Sequence, residues 1–181
     1  MKIKCLQKRE VVAQFAPRTP GHAKCANKTN MQSRVLFICT GNYYRSRFAE
    51  AVFNHHAEAL NMPWRALSRG LAIHLVPPQF LLSPHTHQHL TARNMDVRHT
   101  APDRRQLSEE DLAKTRVIIA LKDDEHRPMM RTLFPKWEDR VMYWDVGDQP
   151  AVTPDEGLAA IEKQVVELID DLRGAESLAL R

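Results

Sequence analysis

The sequence predicts an α/β fold, a three-layer sandwich in which a four-stranded parallel sheet carries helices on both faces. Two observations point there. Short apolar runs such as VLFIC and RVIIAL have the length and composition of strands buried on both sides. Segments with apolar residues at helical spacing alternate with them, as the crossovers between parallel strands require. A length of 181 residues, 43% hydrophobic and 27% charged, suits one folded domain rather than two.

Arg34 to Cys39 reads as the first strand, closed by the turn signal of Gly41 and Asn42. From Ser46 the period changes: Phe48, Val52, Phe53, His56 and Leu60 recur on one helical face. A second strand spans Trp64 to Ser68 and ends at Arg69 and Gly70, and Ser83 with Pro84 opens another helix. Ser108 and Asp111 form a capping-box pattern ahead of a short helix, followed by the strand Arg116 to Leu121. Arg140 to Trp144 is the fourth strand. Thr153, Pro154 and Glu156 start a long final helix with a stripe of Leu158, Ile161, Val165, Leu168, Ile169 and Leu172, which Gly174 is expected to close.

The net charge of +4 does not describe the body of the chain. Residues 1–30 carry Lys2, Lys4, Lys8, Arg9, Arg18, Lys24 and Lys28 against Glu10 alone, a net of +6, which leaves −2 for the remainder. A nucleic-acid partner is therefore not expected, and no apolar run is long enough for a membrane span. The basic extension lacks the apolar centre of a secretory signal. Two explanations stand for it: a disordered arm, or a start assigned too early with Met31 as the true beginning. The domain proper is expected over 31–181. Cys5, Cys25 and Cys39 form neither a disulfide framework nor a metal-ligand spacing, which suits a reducing cytoplasm.

Function concentrates in residues 39–46, CTGNYYRS. A loop curling from a strand end into a helix start turns backbone N–H groups inward and adds the positive end of the helix dipole, so anions collect there. The same field lowers a cysteine pKa from about 8.5 toward roughly 3.5 to 7.5, which makes Cys39 a candidate nucleophile. Arg45 can return over the loop and grip two phosphoryl oxygens. Gly41 and Asn42 suit left-handed dihedrals. Thr40, Gly41, Asn42, Tyr43, Tyr44, Arg45 and Ser46 are thus the expected phosphate-binding set. No cofactor or metal is called for, because arginine and amides already neutralise the phosphate.

The stretch VLFICTGNYYRSRFAE resembles the signature of the low-molecular-weight protein tyrosine phosphatases, with its Cys-x5-Arg-Ser loop between the first strand and the first helix. That family shares its fold with arsenate reductases. Looser similarity runs over residues 32–174. The resemblance implies a phosphomonoester hydrolase, acting on phosphotyrosine proteins or small aryl phosphates, in which Cys39 forms a phosphocysteine, Arg45 stabilises the equatorial oxygens and Ser46 bonds the sulfur. It also implies an aspartate general acid before the last helix. In WDVGDQPAV, Asp148 is preferred and Asp145 is the rival.

The departures from the family pattern matter too. Tyr44 stands where a second cysteine is common, which removes a vicinal redox switch. Aromatic residues expected after the acid are absent, so Tyr43, Tyr44 and Phe80 are the candidates for a replacement wall. Arg47 and Arg69 add charges expected near the mouth or in solvent. Arsenate reduction is the nearest rival but lacks further cysteines after Cys39, and a non-catalytic phosphate-binding module is a third reading. His85 and His89 have helical ligand spacing without a third ligand, His55, His56 and His126 carry no stronger signal, and His99 is a candidate neighbour of the loop.

Overall fold

A computed structural model describes residues 33–148 and 150–179. The expected basic extension at residues 1–30 lies outside them.

Four parallel strands, β1 (Ser33–Cys39), β2 (Trp64–Gly70), β3 (Val117–Ala120) and β4 (Met142–Tyr143), lie in the order β2-β1-β3-β4. The helices are α1 (Arg45–Ala59), α2 (Pro84–Ala92), α3 (Glu109–Ala113), α4 (Asp123–Leu133) and α5 (Pro154–Ala179). Side chains alternate across β1, and the alternation builds two cores. Val35, Phe37 and Cys39 face α1 and α5, meeting Phe48, Val52, Phe53, Leu158, Ile161 and Val165. Leu36 and Ile38 face the opposite layer with Leu112 of α3 and Met130 of α4. Each fully buried large apolar side chain contributes about 1.5–3 kcal/mol relative to exposure, so this double-sided burial holds β1 at the centre of the sheet.

The chain leaves β1 toward β2, then crosses back to β3 on the other flank. The reversal opens a crevice beyond the carboxyl ends of β1 and β3, where such folds bind ligands. Cys39 ends β1 at that edge, paired in register with Gly70.

Two local expectations are corrected, and one helix is added. α5 does not close at Gly174 but runs on to Ala179; a Cβ at Gly174 would meet nothing within 4 Å. One glycine costs a helix about 1 kcal/mol, and Leu172 and its buried predecessors already anchor the element. The fourth strand is shorter than Arg140 to Trp144, because Pro135–Arg140 forms a 3-10 helix up to its edge. α4 was not expected, since its first turn is polar and Pro128 interrupts the pattern. Asp123, Asp124 and Glu125 favour the positive N-terminal end of that helix.

Candidate active site

The loop between β1 and α1 turns its carbonyls outward. Cys39 O and Thr40 O accept from Leu71 N–H and Ala72 N–H at 2.9 and 2.8 Å. Tyr43 O accepts from Ser83 N–H at 3.0 Å, and Tyr44 O from Phe48 N–H at 3.1 Å and Thr86 Oγ1 at 3.2 Å. With these acceptors satisfied from outside, the loop is left with a concave side for its N–H groups.

Asn42 takes the left-handed conformation, with φ of 49°. The expectation of the same for Gly41 is corrected, since no glycine among the described residues has positive φ. Gly41 is needed for space instead, because a Cβ there would sit 2.5 Å from Val76 Cγ2. A Cβ on Gly70 would likewise come within 2.9 Å of Thr40 O.

The Asn42 amide ties the loop to its surroundings. Nδ2 donates to Ser46 Oγ at 3.1 Å and Ser68 Oγ at 2.8 Å, while Oδ1 accepts from Arg105 N–H at 2.8 Å. Ser68 in turn donates to Glu50 Oε2 at 2.7 Å. The chain of donors therefore runs toward Glu50, and Ser46 Oγ, already accepting from Asn42, has its proton available for sulfur. Cys39 Sγ lies 2.9 Å from Ser46 Oγ.

Arg45 is only 3% exposed, and it meets two carboxylates. Its Nη2 donates to Glu125 Oε1 and Oε2 at 3.0 and 2.9 Å and lies 2.7 Å from Asp148 Oδ2. Burial works against the guanidinium charge, but Cys39, Glu125 and Asp148 together hold its pKa above the ordinary value. Nη1 is buried without a partner, a donor available to a bound anion. Asp145 points elsewhere, with Oδ1 2.5 Å from Lys122 Nζ.

Glu125 is the residue that sequence reasoning missed. Besides Arg45 it accepts a hydrogen bond from Thr40 Oγ1, so it bridges the two ends of the loop. Burial opposes its charge, yet His126, Thr40 and Arg45 hold the carboxyl well below the usual carboxylate range. His126 accepts from Lys122 N–H through Nδ1, which leaves Nε2 carrying the proton 3.4 Å from Glu125 Oε1. The available signal was the acidic run immediately after β3, at the ligand-binding edge of the sheet.

Tyr43 of the loop pairs with the half-exposed Phe80, their ring centroids 6.2 Å apart. Tyr44 has its hydroxyl 3.4 Å from Pro154 O, within the fields of Asp148 and Arg45, and burial together with Asp148 raises its pKa to about 12. The two arginines expected to face the mouth or solvent are committed internally. Arg69 makes a bidentate pair with Asp111 at 2.9 and 2.7 Å, and Arg47 is 1% exposed and bonds Thr100, Leu81 O and Ala101 O. His99 does not reach the loop; it faces His55 and lies 3.7 Å from Glu58. His89 is taken by Asp155 at 2.8 Å, and no group of three potential metal ligands converges among the described residues.

A buried thiol ending β1 of a parallel sheet, with an arginine and two carboxylates gathered beside it, is the arrangement of a cysteine-dependent phosphatase. The chain belongs to the low molecular weight phosphotyrosine protein phosphatase family, whose model matches residues 34–171. A protein-arginine-phosphatase of Bacillus subtilis is 26% identical over 107 residues, 59% of this chain and 67% of the relative. The crystal structure of a low molecular weight protein tyrosine phosphatase from T. tengcongensis superposes with a TM-score of 0.63 at 26% identity, covering 78% of this chain and 98% of that one. YfkJ from Bacillus subtilis shares the fold, with a TM-score of 0.67 over 79% of this chain and 96% of its own, at 22% identity. Among the described residues no helix is long and apolar enough to cross a membrane.

Proposed function

We propose that this phosphatase hydrolyses phosphotyrosine and related aryl phosphomonoesters through a phosphocysteine on Cys39. The observation that carries this reading is the placing of Cys39 Sγ 2.9 Å from Ser46 Oγ, in a loop whose Arg45 lies 2.7 Å from Asp148. Cys39 thiolate attacks phosphorus as the bond to the aryl oxygen breaks, and Asp148 gives its proton to the departing phenolate. Arg45 and the amides of Thr40 to Ser46 stabilise the equatorial oxygens. Water then attacks the phosphocysteine, Asp148 takes the proton back, and the Ser46 hydroxyl stabilises the returning thiolate. The geometry favours Asp148 over Asp145 as the acid, since Asp145 is held by Lys122. Support for an aryl group comes from the Tyr43 and Phe80 rings beside the loop.

One observation favours a second reading, a phosphorylated guanidino group. Glu125 offers an ionised carboxylate beside Arg45, suited to the N–H groups of such a substrate, and the Bacillus subtilis relative is an arginine phosphatase. Comparing kcat/KM on a phosphotyrosine peptide and a phosphoarginine peptide separates the two. Cys39→Ser tests the chemistry: it should abolish turnover of an aryl phosphate while retaining phosphate binding. Residual hydrolysis at the wild-type rate would remove Cys39 from the mechanism.

A further inference from the structure

The connection from β2 to α2 runs along the outer side of the loop as an irregular strap, residues 71–83, with only a 3-10 turn at Ile73–Leu75. Besides His74 and Gln79, it exposes apolar side chains: Leu75, Phe80 and Leu81 are 65%, 48% and 46% exposed. Short turns close Ala72 O, Ile73 O and Pro77 O within the strap, and two arginines add further bonds along its length. Arg104 donates to Ile73 O at 2.8 Å and to Val76 O and Pro77 O, each at 3.0 Å. Arg47 donates to Leu81 O at 3.2 Å from the far end. Gln106 holds Leu71 O and Ile73 N–H at 2.8 and 3.2 Å.

We infer that Arg104, with Arg47, is a positioning residue that fixes the strap as the apolar wall beside the loop, and so sets the preference for substrates with a large apolar leaving group. The inference rests on the aryl reading proposed above. A segment held only by short turns and carrying exposed apolar side chains would otherwise sample many conformations, and a displacement of about 1 Å in a substrate-contacting group can cost 10²-fold. Guanidinium groups suit the task because one side chain can satisfy several carbonyls in fixed geometry. Arg104 anchors the first half through three carbonyls. Arg47, fixed to Thr100 Oγ1 at 2.7 Å and set 3.9 Å from Glu50, anchors the half that carries Phe80 and Leu81. The strap also bears on the catalytic loop itself, since Val76 packs against Gly41 and Ser83 N–H bonds Tyr43 O.

The test compares naphthyl phosphate with acetyl phosphate, which lacks a ring, for wild type, Arg104→Met and Arg104→Lys. Arg104→Met should raise KM for naphthyl phosphate by about tenfold with kcat little changed, and leave acetyl phosphate kinetics as they are. Arg104→Lys should recover part of the loss. Amide hydrogen exchange over residues 73–82 should quicken in Arg104→Met while α1 and β1 stay protected. A wild type that prefers the aryl ester, with that preference intact in Arg104→Met, overturns the positioning role alone. A wild type indifferent to the ring overturns the aryl reading and the role with it. Arg47→Met carries a greater risk of misfolding, because Arg47 is buried, so Arg104 is the decisive site.

Discussion

Glu125 reaches Arg45 with both carboxylate oxygens, 3.0 and 2.9 Å from Nη2, across a separation of 80 residues in sequence. On the proposed mechanism, a phosphoryl group entering the loop would meet a guanidinium that already has an anionic partner, and substrate binding would include the exchange of one anion for another.

Replacing Glu125 by Gln removes that internal competitor while keeping the side chain's size. Inhibition by inorganic phosphate should tighten by about tenfold, equivalent to about 1.4 kcal/mol, measured against aryl phosphate turnover. Weaker inhibition would mean that Glu125 supports the bound anion rather than competing with it.

The acid is tested by leaving-group dependence. Asp148→Ala should lower kcat by about 10²-fold on a phenyl ester and much less on a nitrophenyl ester, whose leaving group needs little protonation. Asp145→Ala should leave both rates near wild type, because its partner is Lys122. The opposite pattern would transfer the role to Asp145.

Asn42 separates strain from bonding. Asn42→Ala places a Cβ residue without local hydrogen bonds at φ of 49°, costing roughly 1–2 kcal/mol that Asn42→Gly avoids. Both variants lose the amide that meets Ser46, Ser68 and Arg105, so both should be slow enzymes. Urea unfolding should rank Gly above Ala, and equal stabilities would contradict the left-handed geometry.

Arg69 and Asp111 give a pH-dependent stability. Burial opposes the Asp111 charge, but bonds from Arg69 and Ser108 hold its pKa below the ordinary 3.8. A group with a lowered folded pKa stabilises fully above its unfolded value and loses that contribution as pH falls through the folded one. Asp111→Asn should therefore destabilise by about 1–3 kcal/mol at neutral pH, with the gap to wild type closing in unfolding curves below about pH 4.

Legibility followed distance along the chain. The strand, loop and helix around Cys39 were readable because burial period, turn residues and the Cys-to-Arg spacing all fall within one continuous stretch. The stripe on α5 was readable for the same reason, although its end was not, because one glycine is a weak stop against a well-anchored helix. α4 escaped notice, and Glu125 with it, since a polar first turn and Pro128 hide a helix that packs chiefly through Met130. Arg47 and Arg69 looked like mouth charges because sequence gives the charge of a side chain but not its partner.

The amino-acid order by itself determined the parallel α/β architecture and the local loop that pairs a thiol with an arginine, since both depend on periodicity and turn chemistry over a few neighbouring residues. Only the tertiary structure decided which carboxylates meet that arginine and what holds the strap beside it. Placing β3 next to β1 carries Glu125 to Thr40 across 85 residues, and the turn after β4 brings Asp148 to Arg45. Such contacts depend on strand order and register, which bring distant segments to one edge of the sheet and leave no periodic trace in the chain.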